Sequence, residues 1–98
     1  EMIKLKIRDK KGKFRTYTQP WVPTRYLLEA ADYSLANYPE ISDLILKTSE
    51  FIVKVMGDQF TVDDILDGVA SDKWMDFAND FSSQLYGGDD PEIQPGKE

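Results

Sequence analysis

Residues 51–69, FIVKVMGDQFTVDDILDGV, decide how the rest of the chain must fold. An apolar helical pattern runs to Met56, stops at Gly57 and restarts at Thr61, so two helices meet at a tight corner. Gly57 suits the left-handed residue that closes a helix. Thr61 can accept a hydrogen bond from the Asp64 amide while the Asp64 carboxylate answers the Thr61 amide, which is a capping box. Phe60 and Ile65 flank that cap where a hydrophobic staple would join them. The helix starting here, 62–67, is under two turns long and depends on tertiary packing. Gly68 is expected to close it.

Working back toward the N-terminus, residues 41–56 read as a helix with Ile41, Leu44, Ile45, Phe51, Ile52 and Val55 as its core stripe. Ser42 is its expected N-cap. An earlier helix is expected over 24–37, where Leu27, Leu28, Ala31, Leu35 and Tyr38 gather on one face of a 3.6-residue wheel and Pro39 stops it. Pro20 and Pro23 end the preceding sheet, and PWVP, residues 20–23, matches a minimal PxxP pattern that carries little meaning inside a folded domain.

From Met2 to Arg8 the chain alternates strictly, with Ile3, Leu5 and Ile7 on one face and Lys4, Lys6 and Arg8 on the other. That period of two is a half-buried strand. Residues 9–13 form a turn, and 14–18 return as a second strand. A two-stranded ribbon is marginal in water, so helices must cover Ile3, Leu5 and Ile7. Beyond the corner, Ser71 is expected to cap a last helix over 72–86 with Trp74, Phe77, Ala78, Phe81 and Leu85 as its stripe. Residues 87–98 are too polar and proline-rich to join a core and are expected to be disordered. The fold class is therefore α+β: one domain over 2–86, with a hairpin (2–18) followed by four helices (24–37, 41–56, 62–67 and 72–86).

Composition narrows the chemistry. With 41% hydrophobic and 31% charged residues, the chain is globular in type, and 98 residues bury roughly 65% of their unfolded surface. There is no cysteine and no histidine, which removes disulfides, thiolate and histidine-assisted nucleophiles, and the commonest zinc sites. No cofactor is expected. No apolar run approaches the ~20 residues of a membrane span and no signal-peptide core is present, so a cytoplasmic location is expected. Met2 reads as the natural start, with Glu1 added ahead of it.

The net charge of −6 is divided unevenly: residues 1–25 carry +6 and residues 26–98 carry −12. Such a division can steer an oriented partner or favour head-to-tail self-association, and it also fits a plainly solvated hairpin beside solvated helices.

The acids do not form a recognisable site. Asp58, Asp63, Asp64 and Asp67 lack the alternation of a calcium loop and suit helix capping instead. Asp76 and Asp80 lie on the polar face of their helix. No phosphate-cradling glycine loop or nucleophile elbow is present, so no enzyme is expected. The basic hairpin could touch phosphates, but the acidic remainder would repel a polyanion and no stacking-aromatic motif accompanies it.

Apolar residues off the core stripes suit a partner surface, or a small core that wraps around its helices with tyrosines tolerated at the surface. On the first helix these are Tyr26, Ala30 and Tyr33, and on the second Leu46 and Val53. Met75 and Tyr86 flank the stripe of the last. Second stripes of this kind are what a partner or symmetry mate buries.

Three segments resemble, in order, the tail assembly chaperones of long-tailed phages infecting Gram-positive bacteria or related prophages. They are the first strand MIKLKI, the run WVPTRYLLEA, and the corner with Gly57, Gln59, Phe60, Thr61, Asp63, Asp64, Asp67 and Gly68. The corner is the most specific part and reads as a fold signature, carried by Gly57, Phe60, Thr61, Asp64 and Gly68. The resemblance implies a non-enzymatic chaperone, present in the infected or lysogenic host cytoplasm and absent from the mature virion. Its implied partners are the tape measure protein and the tail tube protein, with a homo-oligomer open; no membrane is expected, and the residues disfavour nucleic acid. Members of the family are often made in a short and a frameshifted longer form. The competing readings from residues alone are an acidic inhibitor or DNA mimic, and a small nucleic-acid binder using the hairpin.

Overall fold

In a computed structural model, residues 3–87 are described. The expected start at Met2 and the expected disorder over 88–98 lie outside them. Two strands, β1 (Ile3–Arg8) and β2 (Phe14–Gln19), form an antiparallel hairpin, followed by α1 (Arg25–Ala30), α2 (Ile41–Val55), α3 (Val62–Gly68) and α4 (Trp74–Leu85). The α+β class and the order of elements are those expected from the sequence.

The hairpin register pairs Leu5 with Tyr17 and Ile7 with Arg15. Its turn is built on Asp9, whose Oδ1 accepts from the amides of Lys11 and Lys13, both at 2.9 Å. Ile3, Leu5 and Ile7 are almost wholly buried, and Lys4, Lys6 and Arg8 are exposed, as the alternation requires. The core that covers them comes from Phe51, Ile52, Val55 and Met56 at the end of α2, Phe60 and Ile65 at the corner, and Phe81 and Leu85 of α4.

The corner is tighter than the sequence alone reveals. Gly57 has φ +74° and Asp58 follows at φ +59°, two consecutive left-handed residues. Aspartate tolerates that region better than most side chains. The Gly57 amide donates to the Lys54 carbonyl at 3.1 Å and the Asp58 amide to that of Val53 at 3.0 Å, the paired bonds of a Schellman motif. A helix leaves its last four carbonyls without helical partners. The two that remain here are met from elsewhere: Gln19 Nε2 donates to the Val55 carbonyl at 3.0 Å, and Gln59 Nε2 to that of Met56 at 2.8 Å. Gln59 Nε2 also lies 2.8 Å from the Thr18 carbonyl, so the end of α2 is tied to β2.

The capping box forms as expected. The Asp64 amide donates to Thr61 Oγ1 at 3.1 Å and the Thr61 amide to Asp64 Oδ2 at 2.9 Å. Phe60 and Ile65 are both buried, and Tyr17 of β2 packs its ring 4.8 Å from that of Phe60.

Several expectations need correction. Gly68 does not terminate α3 by a left-handed turn; Val69 is the C-cap. Gly68 is instead buried against β1, where a Cβ would lie 2.5 Å from the Arg8 carbonyl oxygen. Ser71 opens a single 3-10 turn (Ser71–Lys73) and caps nothing, so α4 starts two residues later than expected. Ser42 makes no cap to α2, whose N-cap position is Glu40. Gly87, assigned to the tail, is buried at the end of α4.

The largest difference is α1, which ends at Ala30 instead of near residue 37. From Ala31 the backbone tightens into turns, with the Asp32 amide donating to the Glu29 carbonyl and the Tyr33 amide to that of Ala30. Asn37 Nδ2 donates to the Asp32 carbonyl at 3.0 Å. Polar side chains of this type compete with the helix for backbone groups, and three of them lie between 32 and 37.

Two substitutions separate close approach from polarity. Gly68→Ala must push Ile7 or the Arg8 backbone aside, and overpacking costs about 1–3 kcal/mol. For a domain of this size that is a loss of roughly 5–20 °C in melting temperature. Ser49 of α2 is fully buried with no partner for its Oγ, so Ser49→Ala should leave the melting temperature unchanged or raise it. Thermal melts of both variants, read by circular dichroism, check the pair.

Candidate functional site

Two of the three aromatic residues singled out for the surface, Tyr26 and Tyr33, are turned inward. Phe51, in the buried half of α2, is a hub. Tyr26 meets it edge-on at 6.0 Å and 80°, Tyr33 stacks on it at 4.8 Å and 27°, and Phe81 of α4 meets it edge-on at 6.0 Å and 88°. Tyr38 stacks in turn on Tyr33 at 6.0 Å and 7°. Tyr26, Ala30, Tyr33 and Val53 thus pack against the core instead of forming second stripes. For α1 the reason is its early end: Ala31, Leu35 and Tyr38, three of the five residues that define the expected core face, lie beyond the helix, and the face actually buried is that of Tyr26, Leu27 and Ala30.

The same error reverses the outer face. Leu28 and Leu35, expected in the core, are 76% and 56% exposed. On α2 the stripe of Ile41, Leu44 and Ile45 continues the buried face of Ile52 and Val55, yet Ile41 is 50% exposed and Leu44 and Ile45 are only half-buried. The core covers the second half of α2 and leaves the first half as an apolar arm. A 15-residue helix is about 22 Å long, so that arm spans roughly 10 Å.

Leu46, Met75 and Tyr86 are exposed as expected, and on a 3.6-residue wheel Met75 and Tyr86 share one face of α4. Phe14, Trp21 and Leu66 are further exposed apolar side chains that periodicity did not single out. Phe14 stands on the solvent face of β2, opposite Arg8. Trp21 sits in the connector, where no period exists to assign a face.

One polar cluster holds α1 against α2. Lys54 Nζ lies 2.5 Å from Glu29 Oε2, and the Tyr33 hydroxyl donates to the same oxygen at 2.9 Å. The hydrogen bond from Lys54 has the largest effect on the Glu29 carboxyl; burial opposes it, and with the further hydrogen bond from Tyr33 the carboxyl is held below its ordinary value. Burial and the neighbouring carboxylate raise the Tyr33 phenol. The Asp9 carboxyl is likewise lowered, first by the Lys13 amide at the hairpin turn. Each shift has a structural partner, and none sits beside a nucleophile.

Among the described residues no cluster of His, Cys, Asp or Glu could hold a metal ion, and no helix is long and apolar enough to cross a membrane. What these residues offer is surface. An apolar arm and scattered exposed hydrophobics flank a basic hairpin.

Residues 1–98 match a family model described as phage tail chaperone protein, and the chain belongs to that family. No curated protein and no solved structure matches it. Membership suggests a non-enzymatic role and fits a site made of exposed apolar side chains.

The Glu29 cluster yields a pH prediction. Because the folded carboxyl titrates below its unfolded value, its contribution is present above about pH 4.3 and is lost as pH falls through the lower, folded value. Glu29→Gln should lower the melting temperature at pH 7 by up to about 5 °C, as for a largely solvent-screened pair. The gap from the parent should close below about pH 4. A gap that stays constant with pH would show that the pair contributes no charge-dependent stability.

Proposed function

From membership in the tail chaperone family, we propose that this protein covers exposed apolar helices of the tape measure protein during phage tail assembly and brings tail tube subunits to it. The observation that carries this reading is the apolar arm. The stripe that buries Ile52 and Val55 runs on through Ile45 and Leu44, which are only partly covered, to Ile41, which is exposed, and Leu28 and Leu35 add exposed apolar surface from α1 and the loop after it. An amphipathic helix laid along such a stripe buries its own apolar face in return. The arm is also a surface on which a second copy of this chain could sit.

In this reading the protein acts without turnover. It binds while the tape measure is bare and leaves as tube subunits polymerise, so it works in the host cytoplasm and is absent from the finished particle. The acidic surface keeps the chaperone soluble while greasy segments are being exchanged. The basic hairpin remains a competing nucleic-acid surface, and salt dependence distinguishes the two.

Co-expression with the tape measure protein is the test. An otherwise insoluble tape measure fragment should become soluble, co-purify and resist moderate salt. The double variant Leu35→Asp, Ile41→Asp should retain the parent circular dichroism and melting profile yet lose most of the co-purification. A tape measure that stays soluble without this protein contradicts the reading, as does binding that collapses steeply with salt.

A further inference from the structure

We infer that the open edge of β1 is a docking groove for an extended segment of a partner polypeptide in which carboxylates alternate with aliphatic side chains. The inference is independent of the tape measure reading and rests on a different part of the molecule.

The sheet has two strands, so β2 pairs one edge of β1 and leaves the other open. At Lys4 the outward groups are held by Gln84 of α4: its Oε1 accepts from the Lys4 amide at 2.7 Å and its Nε2 donates to the Lys4 carbonyl at 2.9 Å. Asp80 Oδ2, 2.8 Å from the same Nε2, fixes the amide in that orientation. In an antiparallel ladder, residues two apart direct their backbone groups to the same side. Lys6 and Arg8 therefore face outward too. At Arg8 the edge is covered by the close approach of Gly68.

Lys6 lies between these two covers. Among the described residues its outward N–H and C=O meet no hydrogen-bond partner. In front of it opens a groove of about 820 Å³, with Lys4, Lys6 and Arg8 along the strand wall and Val69, Asp76 and Phe77 along the other. Proteins commonly blunt a sheet edge with lysines and a covering side chain. Both devices are present here, and a gap has still been left between them.

The walls specify the occupant. With the edge covered at Lys4 and Arg8, an added segment pairs at Lys6 alone: its residue there stands beside Lys6 on the solvent face, with Lys4 and Arg8 as diagonal neighbours, and the adjoining side chains turn toward Val69 and Phe77. Among the described residues, neither these three cations nor Lys73 at the groove is engaged in an ion pair. Carboxylates on the solvent face and aliphatic groups on the inner one complement both walls. Asp67, Asp76 and Asp80 also line the groove and disfavour an occupant that is acidic throughout. A second copy of β1 is disfavoured as well, since it would set lysine and arginine against lysine and arginine.

Nitrogen-15 NMR of the full chain, titrated with a short synthetic peptide alternating Glu and Val, tests this. The Lys6 amide should shift and its hydrogen exchange slow on binding. A peptide alternating Lys and Val should bind roughly tenfold more weakly or worse, since the charge pair at Lys6 and the diagonal ones at Lys4 and Arg8 change sign. Lys6→Glu should reverse that preference, with Lys4→Glu on the same face as the second variant. The inference is overturned if the two peptides bind the parent equally, or if shifts gather on α2 with Lys6 unmoved. A Lys6 amide already protected in the free chain also overturns it, because the chain itself or a second copy then fills the groove.

Discussion

The end of α2 is where this small domain is held together. Four carbonyls at a helix C-terminus must find donors, and here two find them in the Gly57–Asp58 turn and two in the amide side chains of Gln59 and Gln19. That last pair matters most for the architecture, because Gln19 belongs to β2 and Gln59 also reaches the Thr18 carbonyl. Closing the helix and anchoring the hairpin are therefore one event. Once the corner is made, Phe60 and Ile65 enter the core beside Tyr17, and α3 lies so close to β1 that only glycine fits at 68. The ribbon, too slight to stand alone, gains its cover of Ile52, Met56, Ile65 and Phe81 from this one arrangement.

Such a core is placed at one end of α2, and the cover is uneven along the helix. Phe51 gathers Tyr26, Tyr33 and Phe81 around the buried half of the helix, while the Lys54–Glu29–Tyr33 cluster fastens α1 across it. Toward the start of the helix that cover thins, leaving Leu44 and Ile45 partly covered and Ile41 exposed. A protein that needed only to be stable would shorten the helix or cover the arm. A chaperone in tail assembly has a use for an apolar stripe on a rigid, acidic body.

Much of this could be read from the residues. Strict alternation from Ile3 to Arg8 set the hairpin and its buried face, and the Gly57 and Thr61 signals set the corner with its capping box. Those features are local: each needs only a few neighbouring residues to be decided. The course of the chain from 31 to 39 was not legible, because a stretch with apolar residues on both sides fits a helix wheel in more than one rotation. There the outcome depended on where Phe51 would sit, a residue some 20 positions away. The same long-range dependence misplaced Leu28, Leu35, Tyr26 and Tyr33 together. In the sequence Gly68 looks like a helix end, whereas the approach of β1 explains it. The sockets for Gln19 and Gln59, and the Gln84 clasp on Lys4, carry no periodic signal at all.

Residue-resolved hydrogen exchange along α2 tests the central claim, that one half of this helix belongs to the core and the other does not. Amides from Phe51 to Val55 should exchange only through global unfolding, at the rate of Leu5 and Ile7 in β1, whose amides face β2. Amides from Ile45 to Lys47 should exchange orders of magnitude faster in the free protein, through local opening. Uniform protection over the whole of α2 would mean that the arm is already covered, and would contradict the account.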